Sequence, residues 1–251
     1  SFVLLIAVLL RERTDIKRVL LSAVIAAVHG IILVASRDLG AALIFFVSYL
    51  MMLYVATKQK AYLFIGLIAG FFACIAAYYL FAHVRVRVQT WLHPFADFYG
   101  KGNQIGNSLF GIGTGGWFGM GLYRGMPEKI PVVDKDFVFA AISEEMGALY
   151  ALCVLFLCLG CYMQFMLIAM KMQAMFYKLI AFGLGSVYIT QVFLTIGGVT
   201  KFIPSTGVTL PLVSYGGSSI VSTFIIFQVI QGLYVLKRGE EEEEENSSEE
   251  E

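Results

Sequence analysis

Of the 251 residues in the chain, 59% are hydrophobic and 14% are charged, whereas a soluble domain has about 45–50% apolar and about 25% charged residues; a soluble globule is excluded. The formal net charge of zero is deceptive, because nine of the 18 acidic residues lie in Glu240–Glu251 and leave residues 1–239 at net +9. That excess suits anionic partners, lipid headgroups or a phosphorylated substrate, although a basic cytoplasmic collar alone produces it too.

A membrane helix needs about 20 predominantly apolar residues. In chain order there is a stub, Ser1 to Leu10, then six long apolar runs: Val19–Ser36, Leu39–Thr57, Ala61–Val84, Phe137–Met170, Leu179–Thr200 and Gly216–Leu236. Ser1 opens inside an apolar stretch with no signal peptide, so the N-terminus is expected to be cut. The short connections predict an antiparallel bundle. Orientation follows from Lys and Arg in those connections. Arg11, Arg13, Lys17, Arg18, Lys58, Lys60, Lys171, Lys178, Lys237 and Arg238 fall on one side, and only Arg37 and Lys201 fall in short loops on the other. The first set is expected to be cytoplasmic. Residues 239–251 then form an acidic cytoplasmic tail, too charged to bury a core and expected to be disordered.

Cys74, Cys153, Cys158 and Cys161 all sit in apolar runs. Cys158 and Cys161 spell C-x-x-C, but no second pair or nearby histidine makes a metal site of them, and helix packing is the simpler reading. His29, His83 and His93 lie in separate segments without ligand spacing and read as packing or interface residues.

The segment from Arg85 to Asp136 falls on the outer side. It shows no helical pattern of its own, and loops of that length are usually functional. Nine glycines stand between Gly102 and Gly125. Gly111-Ile-Gly113-Thr-Gly115-Gly116 satisfies G-x-G-x-x-G, but a dinucleotide site needs a preceding strand in a βαβ unit, so a Gly-rich re-entrant loop is the better reading. Asp136 stands at the mouth of the long fourth run, where it suits an N-cap. Glu144 and Glu145 lie about 12–13 Å further along a helix. Intramembrane carboxylates are functional by default; a buried ion pair with a loop arginine is the structural alternative. The last outer loop, Pro204 to Ser219, has two prolines, glycines and a cluster of hydroxyls, and reads as broken helix ends around a polar pocket.

Several separated motifs, in order, resemble the SEDS family (shape, elongation, division and sporulation) of polytopic peptidoglycan glycosyltransferases, which includes FtsW and RodA. Ser36-Arg-Asp38-Leu-Gly40 resembles Q-P-D-L-G; Arg85 to Pro94 resembles R-x-x-x-x-L-x-P; Gln104 to Gly116 resembles Q-x-x-x-S with an I-G-x-G-G turn. Asp136-Phe137 with Glu144-Glu145-Met-Gly147 resembles D-F-x-F-A-x-x-x-E-E-x-G, and Pro204 to Ser219 resembles P-x-T-G-x-x-L-P-x-x-S-Y-G-G-S-S. The likeness covers residues 1–238 and corresponds to the family's last six helices and part of one before them. Ser36-Arg37 in place of Gln-Pro, Val132, Asp134-Lys135 and Asn107 depart from the pattern, and Asp136 does not.

The resemblance implies an all-α polytopic transmembrane bundle with a long Gly-rich extracellular loop containing re-entrant or short helices. It implies a bacterial cytoplasmic-membrane protein whose active site faces outward. The activity implied is polymerisation of lipid II into β-1,4 glycan, releasing undecaprenyl pyrophosphate, in division, elongation or sporulation. A pyrophosphate leaves without general acid help, so one carboxylate suffices to deprotonate the attacking hydroxyl. Asp136 is the expected base, with Arg85 and Arg87 compensating charge on the pyrophosphate. Gln104, Ser108, Gly115, Gly116, Glu144, Lys201, Thr206, Ser214 and Tyr215 are expected to line the cavity. No resident metal ligand set is expected; Mg²⁺ or Mn²⁺ is an optional helper. The partners implied are lipid II, membrane lipids and a class B penicillin-binding protein, with no nucleic acid. A lipid II flippase and a non-catalytic scaffold are the alternatives.

Overall fold

A computed structural model describes residues 1–11 and 15–249, with side chains through Gly239. Arg13 of the basic set and the last two residues of the acidic tail lie outside the described residues. Among the described residues there is helix and no strand. The order is α1 (Phe2–Leu10), α2 (Ile16–Ala35), α3 (Leu39–Thr57), α4 (Lys60–Leu80), α5 (Ala82–Leu92), α6 (Asn103–Gly115), a 3₁₀ turn (Pro127–Lys129), α7 (Val138–Lys171), α8 (Met175–Val199) and α9 (Gly217–Glu249). Six helices are long and apolar enough to cross a membrane: α2, α3, α4, α7, α8, and α9 as far as Gly239. They match the six apolar runs.

The ends of the helices follow local chemistry. Asp38 caps α3 by accepting a hydrogen bond of 2.9 Å from the Ala41 amide, the usual service of an aspartate before a helix. Phe81 adopts an extended conformation and breaks the third run into α4 and α5. The last helix does not stop where a disordered tail was expected to begin at residue 239, because α9 continues through Glu249. Glutamate is a good helix former, and extending an existing helix needs no new nucleus.

Helix α8 is the axis of the bundle: 61% of its apolar window is buried, against none for the peripheral α4. At one end Phe2, Ile6 and Leu10 of α1 pack with Tyr49, Met52 and Leu53 of α3 and Leu179 of α8. Midway, Cys158 and Phe165 of α7 meet Tyr188 and Val192 of α8 and Ile226 and Ile230 of α9. At the other end Ile105, Ile130, Phe137, Phe139, Ala140 and Val199 form a layer beneath the long loop. Ile31 and Ile32 of α2 and Phe64, Ile65, Phe71 and Phe72 of α4 point outward, as side chains facing lipid do.

The long loop is more ordered than its sequence pattern suggested. Ile105, Leu109 and Ile112 recur at helical spacing on α6 and pack into the layer with Phe137 and Val199, while the glycines between them blank out the rest of the periodicity.

Candidate active site

Helix α7 has 34 residues, about 51 Å at 1.5 Å per residue and far longer than a hydrocarbon core of about 30 Å. It is interrupted at Gly147, where φ is 85° and ψ is 169°, a backbone conformation essentially reserved for glycine. In an unbroken helix the Ala148 and Leu149 amides would bond the Glu144 and Glu145 carbonyls. Here the loop segment 116–121 intervenes. Met120 N donates to Glu144 O and Gly121 N to Glu145 O, each at 2.9 Å; Ala148 N donates to Gly116 O at 2.9 Å and Leu149 N to Trp117 O at 3.2 Å. Every backbone group released by the break thus regains a partner, the condition for irregular backbone at membrane depth.

The two glutamates extend the same splice. Glu144 is buried and its Oε1 accepts from Met126 N at 2.9 Å; Glu145 Oε1 accepts from Tyr123 N at 3.1 Å. Both side-chain bonds go to loop amides, where the structural alternative read from sequence was an ion pair with a loop arginine. Gly115 lets α6 touch α7, since a Cβ there would overlap Ser143 O and stand 2.7 Å from Glu144 Cα.

Asp136 sits above this splice, just before α7. It does not cap the helix: the N-cap is Phe137, without a side-chain cap bond. The side chain instead faces the last outer loop. A Cβ placed on Gly207 would lie 3.6 Å from Asp136 Oδ2 and 4.0 Å from Arg87 Nη2. Arg87 Nη1 donates to Ser205 O at 3.2 Å, so α5 delivers one guanidinium to the loop that also meets Asp136. Burial lifts the Asp136 carboxyl above its ordinary value of 3.8; the charges of Lys135 and Arg87 pull the other way, and Asp134 adds to the rise. Among the described residues Thr206 Oγ1 is buried with no hydrogen-bond partner.

The loop is latched from below by polar residues of α8 that sequence reading missed. Thr195 Oγ1 donates to Val208 O at 2.9 Å, and Gln191 Nε2 donates to Thr209 O at 3.0 Å. They are four residues apart on one helical face, a polar pair inside an apolar span, and that signal was available. Trp91 Nε1 donates to Lys201 O at 2.9 Å, and Gly40 lies against Val208 and Thr206. An apolar cavity of about 360 Å³ lies between α7 and α8, lined by Leu155, Val192, Ile196 and Phe202 among others.

A family model described as cell cycle protein, FtsW/RodA/SpoVE, matches residues 1–238. The chain belongs to the FtsW/RodA/SpoVE family. With its six apolar helices, this FtsW/RodA/SpoVE chain is a multi-pass membrane protein. It is 42% identical over 199 residues to peptidoglycan glycosyltransferase RodA of Mycobacterium tuberculosis H37Rv, covering 79% of this chain and 42% of that protein. It is 32% identical over 239 residues to the probable peptidoglycan glycosyltransferase FtsW of Aeromonas salmonicida, covering 91% of this chain and 60% of that protein. Stage V sporulation protein E of Bacillus subtilis is 36% identical over 196 residues, covering 76% and 52% respectively. The chain spans about half the length of these curated relatives. A solved chain, reported for structural coordination of polymerization and crosslinking by a peptidoglycan synthase complex, superposes with a TM-score of 0.76 at 25% identity, over 95% of this chain and 67% of that one.

Within this FtsW/RodA/SpoVE chain the residues expected to line one cavity do not all converge on one place. Asp136, Arg87, Thr206 and the backbone around Gly207 meet at the mouth. Tyr215 is joined to them through its amide, which donates to Asp134 O at 2.7 Å. Ser214 is buried within the same loop, its hydroxyl accepting from Leu210 N at 2.8 Å. Gly115, Gly116 and Glu144 belong to the α6–α7 packing instead, and Ser108 ties α6 to the end of α8. The Ser108 hydroxyl is fully buried and donates to Ile105 O and Val199 O. Arg85 is separated from Arg87, donating to Tyr79 O at 3.0 Å across the α4–α5 break with its guanidinium over the Tyr78 ring. Gln104 is exposed on α6, and Lys201 contributes its carbonyl to Trp91.

Proposed function

We propose that the chain is the site-bearing part of a peptidoglycan polymerase acting on lipid II at the outer face of the cytoplasmic membrane, with Asp136 as its base. The observation that carries this reading is the meeting of a burial-raised carboxyl, Asp136, with Arg87 and a positive-φ glycine loop at one end of a membrane bundle. The names of the relatives support the same chemistry.

In the proposed step the acceptor 4-hydroxyl attacks C1 of the donor sugar and gives its proton to the Asp136 carboxylate. The new C1–O bond forms as the C1–O bond to pyrophosphate breaks, and undecaprenyl pyrophosphate departs with that electron pair. A raised carboxyl pKa strengthens the base. Arg87 offsets charge on the departing pyrophosphate, and Thr206 Oγ1 would find in a substrate oxygen the partner it lacks. Arg85 is not given that role, because its guanidinium lies over Tyr78 at the α4–α5 break, and Arg87 is the arginine whose charge acts on Asp136. Among the described residues no three His, Cys, Asp or Glu side chains converge, so a resident metal cage does not fit. A divalent ion carried in by the pyrophosphate would find Asp136 and neighbouring Asp134, the one or two carboxylates such an ion ordinarily takes. No step is routed through it. The outward orientation rests on the ten-to-two distribution of short-loop cations. A class B penicillin-binding protein is the proposed partner, consistent with the superposition on a synthase-complex chain.

The test is gel-resolved lipid II polymerisation by protein of full family length together with its class B partner, wild type beside Asp136→Asn. Loss of a positioned base lowers the rate about 10²–10⁴-fold. Normal glycan from a folded Asp136→Asn protein removes Asp136 from the role, and no glycan from either protein favours a transporter or scaffold.

A further inference from the structure

The end of the bundle opposite Asp136 holds a cavity that the proposed polymerase chemistry does not use. It has a volume of about 390 Å³ and lies where the end of α3 meets the end of α7 and the start of α8. Its walls are Tyr54, Met170, Met175 and Phe182, with the two lysines Lys58 and Lys178. Among the described residues neither ammonium has a carboxylate within ion-pair distance.

The two lysines differ in what explains them. Lys58 ends α3 in the left-handed conformation, φ 55°, with its amide bonded to Tyr54 O at 2.8 Å; a cation at a helix C-terminus is favoured by the helix dipole. Lys178 stands in the first turn of α8, the end at which the dipole disfavours a cation. Its own helix gives no reason for the charge to be there. The cavity does, if an anion occupies it. The remaining wall is apolar thioether and aromatic surface, which a bare phosphate cannot satisfy and a phosphate attached to acyl chains can.

We propose that this cavity binds one anionic phospholipid of the adjacent leaflet, its phosphate between Lys58 and Lys178 and an acyl chain along Met170, Met175 and Phe182. Basic pockets between membrane helices are the sequence-readable form of such recognition. The site is distinct from the general basic collar, because Lys17 and Lys60 carry the same charge on the same end without lining the cavity.

The test uses native mass spectrometry of the protein released from nanodiscs of equimolar phosphatidylcholine and phosphatidylglycerol. One phosphatidylglycerol should be retained in preference to phosphatidylcholine. The preference should fall about 30-fold in Lys58→Gln/Lys178→Gln, the combined effect ordinarily exerted by two lysines at an anionic surface, and persist in Lys17→Gln/Lys60→Gln. Met175→Trp fills the cavity, keeps both charges, and should lower retention as well. Size-exclusion elution and circular dichroism establish that each variant is folded. Equal loss in both lysine pairs reduces the effect to the collar, and retention untouched by Met175→Trp removes the cavity. Displacement by inorganic phosphate makes it an anion site without lipid, and a lipid-free dimer gives the surface to a second copy. Each of those results overturns the proposal, whatever the outcome of the Asp136 experiment.

Discussion

Replacing Gly147 by alanine tests the spliced helix directly. At φ 85° and ψ 169° a non-glycine residue costs about 1–3 kcal/mol. The new methyl would also overlap Gly119 N and stand 2.5 Å from Phe118 C and Trp117 O, and forcing a methyl into a packed site costs about 1–3 kcal/mol more. The fold can escape this cost by healing α7 into a continuous helix. Ala148 and Leu149 would then bond Glu144 and Glu145, and the loop segment 116–121 would be expelled with its four bonds lost. Either way the Met120 and Gly121 amides lose protection, so hydrogen exchange read at those residues, beside thermal unfolding, is the assay. Gly113→Ala is the control: it lies in helix α6 with nothing within 4 Å and should be neutral or gain up to about 1 kcal/mol. If Gly147→Ala melts with Gly113→Ala and keeps both amides protected, the account of the break is wrong.

Three further outcomes follow from the site. Because burial raises the Asp136 pKa above 3.8, the folded protein keeps that proton over an interval in which the unfolded chain has lost it. Stability therefore falls as pH rises through the interval and stays lowered above it. Asp136→Asn should unfold at a higher temperature than wild type near neutrality and at the same temperature below the ordinary carboxylate value, and the acid limb of wild-type polymerisation should lie above that value; an acid limb at the ordinary position contradicts the assignment. Glu144→Ala strands the Met126 amide and should cost about 1–3 kcal/mol in thermal unfolding, while Glu144→Gln retains an acceptor oxygen and most of the stability; equal damage from both would mean the charge itself is required. Arg87→Ala should depress polymerisation far more than Arg85→Ala, because only Arg87 reaches Ser205 and the Asp136 mouth, and equal losses would reunite the two arginines in one role.

Much of the architecture was legible because membrane spans are long and apolar, with most of their charges at the ends. The run Leu39–Thr57 coincides with α3 residue for residue. Asp136 and Arg87 were legible as motif residues, yet their proximity depends on the Ser205–Gly207 backbone, which no spacing rule brings to α5. The break at Gly147 was hidden because one glycine in an apolar helix is commonplace. The loop segment at 116–121 is what makes it a break. Glu144 illustrates the same limit: a buried carboxylate in a span reads as functional, and its bond to a loop amide appears only when the loop has a place. The continuation of α9 through Glu249 was missed because composition describes how a segment behaves alone, not what an existing helix imposes on it.

The break in α7 also sets a height. The piece after Gly147, residues 148–171, is about 36 Å long and spans a hydrocarbon core of about 30 Å with a modest tilt. The piece before it adds at most about 13 Å along the axis, which carries Asp136, just ahead of Val138, out of a hydrocarbon core of that thickness. A sugar joined through pyrophosphate to a lipid whose tail stays in the bilayer is held at that level. For the proposed substrate, the depth at which α7 is cut would then act as a ruler, bringing the carboxylate toward the headgroup without lifting the lipid out of its leaflet.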